Sequence, residues 1–194
     1  LTSAIQNVLS GSTTKMYVAT GHSEVALPDT LTKAFAKMNV ETADLELLTA
    51  EKIPDDCNIL MINGPTSDLA DNEKKIVLDY LKAGGNAIIN LSYTTEKMTN
   101  LEEVLEYYGI QSKQGIICET SGKYYYYPNF IVPELGTDAS EMLGDLQGYI
   151  IMPNAVGMNV MSEIRSSLTM KQLLKTSDSS YLKVDPSSGS SEKE

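Results

Sequence analysis

Lys15-Met16-Tyr17-Val18-Ala19-Thr20-Gly21-His22-Ser23-Glu24 is the stretch on which the reading of this chain turns. Met16 to Ala19 are uninterrupted apolar residues, the pattern of a short buried strand over about 15–20. Thr20 to Glu24 then becomes polar, takes a glycine, and carries the protein's single histidine. A buried strand that runs into a polar turn is how a β-α unit opens.

The chain downstream repeats that unit. Pro28-Asp29-Thr30 starts a helix whose apolar stripe is Leu31, Ala34, Phe35 and Met38, and Asn39 is a suitable stop. Val40 to about Leu45 reads as a second strand. Ile53-Pro54-Asp55-Asp56 is a turn, and 58–63 (Asn-Ile-Leu-Met-Ile-Asn) is a continuous apolar run, the mark of a strand covered on both faces. Gly64-Pro65-Thr66-Ser67 ends it. A helix over 71–83 turns Ile76, Val77, Tyr80 and Leu81 inward, and Gly84-Gly85 stops it. Residues 87–91 form the next buried strand. Thr99 with Glu102 makes a capping box for a helix with Leu101, Val104, Leu105 and Tyr108 on one face, ended by Gly109. Upstream, Leu1, Ile5, Val8 and Leu9 stand at helical spacing.

Strands alternating with helices, joined by right-handed crossovers, give a mostly parallel sheet with helices on both faces. The expected class is α/β, doubly wound, flavodoxin-like or class I glutamine amidotransferase-like. Residues 1–185 read as one domain, and 186–194, made of Ser, Gly, Pro and charges, as a flexible tail or linker. The second half is less regular. Residues 115–118 and 149–153 suggest strands, Ser140–Leu143 a short helix, and 168–174 either. Tyr124-Tyr125-Tyr126-Tyr127-Pro128 reads as an extended segment with alternate rings buried, or as a stacking surface for a sugar or aromatic ligand.

The formal net charge of −11 excludes phosphate backbones as natural partners and disfavours anionic lipid surfaces. No apolar run is long enough to span a bilayer and no signal peptide is visible. A start at Leu1 suggests a processed chain or a piece of a longer one. Cys57 and Cys118 are too isolated for a zinc site and read as half-buried free thiols, with a single disulfide as the alternative.

Ligands of open α/β sheets sit beyond the carboxyl ends of the strands, where the strand order reverses. That places Thr20, Gly21, His22 and Glu24 with Gly64, Pro65 and Thr66, and brings Ser92 and Tyr93 close by. These residues are the candidate ligand-binding crevice. No G-x-S-x-G or G-x-C-x-G elbow occurs, so His22 has no evident nucleophile. Neither G-x-G-x-x-G nor a Walker A pattern is present, and the first loop is too short a match for a flavin. No catalytic residue, metal site or cofactor is assigned. His22 hydrogen-bonding the backbone and Glu24 capping the next segment is the structural alternative.

Several segments taken together resemble a known family. Leu1–Ile5 followed by Val18–Glu24 resembles the "TSAI … TGHGE" lead of ABC-transporter auxiliary proteins of the gliding-motility GldG type, with Ser23 where a glycine is expected. Ile53–Asp56 with Gly64-Pro65, Glu73 with Tyr80–Gly85, and Leu173–Ser177 are similar to later segments of the family, in the same order. The resemblance implies an extracytoplasmic, amidotransferase-like domain of a membrane-anchored subunit. Its partners would be an ABC permease and ATPase, and its transmembrane helices would flank this region. It implies no ATP site here and no settled ligand. The resulting expectation is a non-catalytic binding or interaction domain of an ABC-type transport system, with room for a small-molecule ligand. A divergent hydrolase using the first crevice and a purely structural spacer are the alternatives.

Overall fold

The computed structural model describes residues 13–139, 144 and 148–186. The helix expected over 1–10, the short helix at Ser140–Leu143, and all but the first residue of the expected tail lie outside them. Two compact units are present: residues through Leu91 with Glu96–Val104, and Ser92–Thr95 with Leu105 onward.

The first unit contains β1 (Thr14–Thr20), α1 (Asp29–Lys37), β2 (Val40–Glu46), β3 (Ile59–Asn63), α2 (Asp71–Lys82), β4 (Asn86–Asn90) and α3 (Thr99–Tyr107) through Val104. Its four strands form one parallel sheet in the order β2-β1-β3-β4. Strand alternation sends side chains to two separate cores. Met16, Val18 and Met61 point to one face, where Phe35 of α1 joins them. Ala19, Leu60 and Ile62 point to the other, against Val77 of α2 and Leu101 and Val104 of α3. This is why 58–63 carries no polar interruption: Leu60, Met61 and Ile62 are all buried, on alternate sides. Helices on both faces of a parallel sheet match the α/β expectation.

The α1 stripe is only partly realised. Phe35 packs on the core, but Leu31, Ala34 and Met38 remain exposed, Met38 by 71%. A nine-residue helix with lysines at 33 and 37 presents little more than one side chain to the sheet. Asn39 does end the helix, in the left-handed region at φ +61°, its N–H donating to the Ala36 carbonyl. Gly84 and Gly85 end α2 for different reasons. Gly84 sits at φ +95°, and a Cβ on Gly85 would lie 2.4 Å from the Tyr80 ring.

The described strand pairs of the second unit are antiparallel. In chain order its strands are β5 (Ile110–Lys113), β6 (Ile116–Glu119), β7 (Phe130–Ile131), β8 (Glu134–Leu135), β9 (Met152–Pro153), β10 (Gly157–Val160), β11 (Leu174–Lys175) and β12 (Ser180–Lys183). They pair as β5 with β10, β6 with β12, β7 with β9, and β8 with β11. The strand expected over 149–153 is reduced to its last two residues.

The tyrosine run departs from the expected alternation. All four rings are exposed, Tyr126 by 76%. Tyr126 lies at φ +64°, and Tyr127 N–H donates to the Tyr125 carbonyl at 2.8 Å, which makes a γ-turn instead of an extended segment. The two-residue alternation cannot survive that reversal. Tyr125 packs edge-on against Tyr126, and Tyr127 against Phe130.

Candidate functional site

In the order β2-β1-β3-β4, the chain moves to one side after β1 and to the other after β3. The loops leaving these two strands therefore flank the point where the order reverses. Two left-handed residues, Gly21 at φ +115° and Ser23 at φ +57°, fold the first loop back on itself around His22. The His22 N–H donates to Glu24 Oε2 at 2.7 Å. The His22 carbonyl accepts from the amides of Thr66 at 3.0 Å and Ser67 at 3.3 Å. Val25 and Asn63 add a second tie: Val25 N–H donates to the Asn63 carbonyl, and Asn63 Nδ2 to the Val25 carbonyl.

The imidazole lies between two carboxylates. Nδ1 is 3.3 Å from Glu24 Oε1, and Nε2 is 2.9 Å from Glu73 Oε2. Glu73 is the third residue of α2, and its Oε2 also accepts the Ala70 N–H at 2.6 Å, the half of a capping box that reaches back to the helix start. The side chains of His22, Glu24 and Glu73 are 8%, 7% and 0% exposed. Glu73 Oε1 is buried with no hydrogen-bond partner among the described residues.

For both contacts to be hydrogen bonds, the cluster must hold a definite number of protons. A carboxylate only accepts, and each imidazole nitrogen either donates or accepts. Two nitrogen–oxygen contacts need one proton each. An imidazolium between two carboxylates satisfies this, and so does a neutral imidazole with one carboxyl protonated. Either arrangement gives the cluster a net charge of −1.

Asp68 closes the loop after β3 onto α3. Its Oδ1 accepts the amides of Leu69 at 2.9 Å and Leu101 at 3.0 Å, and its Oδ2 the amide of Asn100 at 2.8 Å. Asn100 Nδ2 returns a bond to the Leu69 carbonyl at 2.7 Å.

The crevice residues expected from sequence fall as follows. Thr20 is half-buried at the end of β1, Gly21 is exposed, and His22 is buried, as are Gly64 and Pro65. Thr66 is half-buried and tied to His22 through its amide. Ser92 and Tyr93 belong to the second unit, where Tyr93 Oη donates to the Val184 carbonyl at 3.2 Å. The structure thus brings His22, Glu24 and the loop after β3 together. Asp68 falls in the second crevice loop expected from sequence, though not among its candidate ligand residues, whereas Glu73 was not placed at the site. An acid at the third position of a helix is a visible signal for Glu73, but its partner His22 is 51 residues away.

Both cysteines are free thiols, Cys57 half-buried and Cys118 buried. Cys57 Sγ faces the Tyr80 hydroxyl at 3.6 Å, not an imidazole. Burial, with Cys57 second, pushes the Tyr80 phenol up to about 12. Among the described residues no group of three His, Cys, Asp or Glu side chains is arranged to hold a metal ion. No described helix is long and apolar enough to cross a membrane.

Comparison with known proteins supplies the context. Residues 13–129, more than half of the chain, match the ABC_transp_aux family, described as "ABC-type uncharacterized transport system". The chain belongs to this family. The matched region holds every residue of the His22 cluster, together with Asp68, Asn63 and the whole parallel sheet. As an ABC_transp_aux protein it is an auxiliary component of an ABC-type transport system. Among solved structures, the mmIFT52 N-terminal domain is similar, with a TM-score of 0.64 and 15% identity over 87% of this chain and 75% of that one. At that identity the likeness concerns the fold alone. No curated protein matches this sequence.

Proposed function

We propose that this chain is a non-catalytic binding or interaction domain of its ABC-type transport system, lying on the extracytoplasmic side. Its fold is read as doubly wound and flavodoxin-like or amidotransferase-like. The candidate ligand crevice lies at the carboxyl ends of β1 and β3, with Thr20, Gly21, Gly64, Pro65 and Thr66 around the His22 cluster. Its partners are the permease and ATPase of the system, and flanking segments supply the membrane anchor.

The observation that carries this reading is the state of His22. Both ring nitrogens face carboxylates and its backbone is tied to the loop after β3. A general base needs a ring nitrogen within reach of a nucleophile. Here each nitrogen is engaged in holding the loop, and the half-buried thiol of the same unit points to a tyrosine. The order β2-β1-β3-β4 with helices on both faces supports the doubly wound assignment.

A substrate-profiling screen of the purified chain with ester, amide and glutamine substrates tests the non-catalytic reading. The expected result is no turnover that changes on His22→Ala. Hydrolysis lost in that variant, with the fold intact by circular dichroism, overturns the reading in favour of a hydrolase.

A further inference from the structure

We propose that His22, Glu24 and Glu73 form a proton-dependent latch, which pins the first βα loop to the start of α2 and releases it when the cluster loses one proton. The inference concerns regulation of the crevice proposed above, but its test reads the loop alone and needs no ligand.

The two contacts of the imidazole hold with two protons shared among three groups. Removing one leaves a ring lone pair facing a carboxylate and a buried net charge of −2. Glu73 is ill-placed to tolerate that. It is fully buried, its Oε2 is already shared by the Ala70 amide and His22, and its Oε1 has no donor among the described residues. An unscreened like-charge contact in a buried site is strongly unfavourable.

Among the described residues, Lys74 and Lys15, on elements that adjoin the cluster, are paired elsewhere. Lys74, next to Glu73 on α2, pairs with Glu103 of α3 and with Asp71. Asp68, on the loop after β3, gives both oxygens to the amides of Leu69, Asn100 and Leu101. Lys15, on β1, pairs with Asp56. Glu24 on the loop and Glu73 on α2 are the carboxylates that face the ring.

The loop also has reason to move once the latch fails. Ser23 is held at φ +57°, a region costly for a residue with a Cβ. Three amides report whether the loop is closed: His22 donating to Glu24, and Thr66 and Ser67 to the His22 carbonyl; the Ala70 amide, bonded to Glu73 within α2, is the internal control. Release strips these three of their acceptors and changes the floor of the crevice, while the Ala70 amide keeps Glu73 within α2.

The single histidine makes the test clean. With 15N-labelled histidine, the ring signals belong to His22 alone, and amide exchange of residues 22, 66, 67 and 70 is followed over the same pH series. The expected result is that the protection of the amides of residues 22, 66 and 67 falls about tenfold, beyond the ordinary rise of exchange with pH, at the pH where the imidazole changes protonation, while the amides of Ala70, β1 and β3 keep theirs. In Glu24→Gln and Glu73→Gln the fast exchange is expected without that pH dependence. If Glu73→Gln does not fold, Glu24→Gln carries the test, because Glu24 lies on the loop itself. A change in imidazole protonation with the amides of residues 22, 66 and 67 still protected overturns the latch. Loop opening with no change at the imidazole overturns it equally. Neither result bears on whether the crevice binds a ligand.

Discussion

Replacing Asp68 by alanine removes three hydrogen bonds at one point. The carboxylate accepts the amides of Asn100 and Leu101 in the first turn of α3, where no intrahelical acceptor exists, and that of Leu69 beside it. It is an N-cap supplied from a loop more than thirty residues away in the sequence. Each lost capping bond costs about 1 kcal/mol. Removing a negative charge from the positive end of the helix adds about 0.5 kcal/mol. The half-buried position lets water recover little of this, so Asp68→Ala is expected to cost about 3–4 kcal/mol in all. Asp68→Asn keeps one acceptor oxygen and should lose about half of that. Urea denaturation followed by circular dichroism measures the cost, with an unchanged slope showing that the transition itself is the same. Asp55→Ala is the control: its carboxylate pairs with Lys52 on the exposed surface, so its effect should stay below about 0.5 kcal/mol. If Asp68→Ala falls in the range of that control, the carboxylate does not cap α3 and the account of this junction is wrong.

Other perturbations test other parts of the structure. Gly85→Ala drives a methyl into the Tyr80 ring, which cannot swing away easily because its hydroxyl bonds the backbone of Asn86; a thermal melt should show a loss of about 1–3 kcal/mol. Tyr126→Gly relieves a left-handed residue at an exposed site and should leave stability unchanged or raise it by up to about 1 kcal/mol. Burial works to raise the Glu119 carboxyl, but hydrogen bonds from Ser177, Ser121 and Thr120 outweigh it and hold the group below its ordinary value of 4.5. Its stabilising contribution is therefore present above 4.5 and is lost as pH falls through the lower folded value. Ser177→Ala should cost about 1–2 kcal/mol near neutrality and move that acid loss to higher pH, as read from urea midpoints across a pH series.

The parallel half of the molecule was legible because its information is local. A strand covered on both faces has to be apolar without interruption, as at 59–63, and a helix has to show a stripe and a stop, as at Val77 and Gly84. The second half carries its information in pairings between segments of two to four residues, such as Glu134–Leu135 with Leu174–Lys175, which no periodicity announces. The tyrosine run misled because β-propensity describes fit to a pleated surface, whereas a γ-turn at Tyr126 places all four rings outside one. In the site, His22 and Glu24 stood out as ionisable residues in a turn after a buried strand. Glu73 did not, because an acid near a helix start has an adequate local explanation, and Asp68 was visible only as part of the loop after β3, not as the cap of α3. Their bonds to His22 and to α3 exist only once the sheet has brought the loops together.

The most direct test of the central claim is affinity purification of the full-length protein from its native membrane, followed by mass spectrometry of what accompanies it. An ABC ATPase and its permease are expected to be recovered with it. Recovery of the protein alone, under conditions that keep other membrane complexes intact, would contradict the claim.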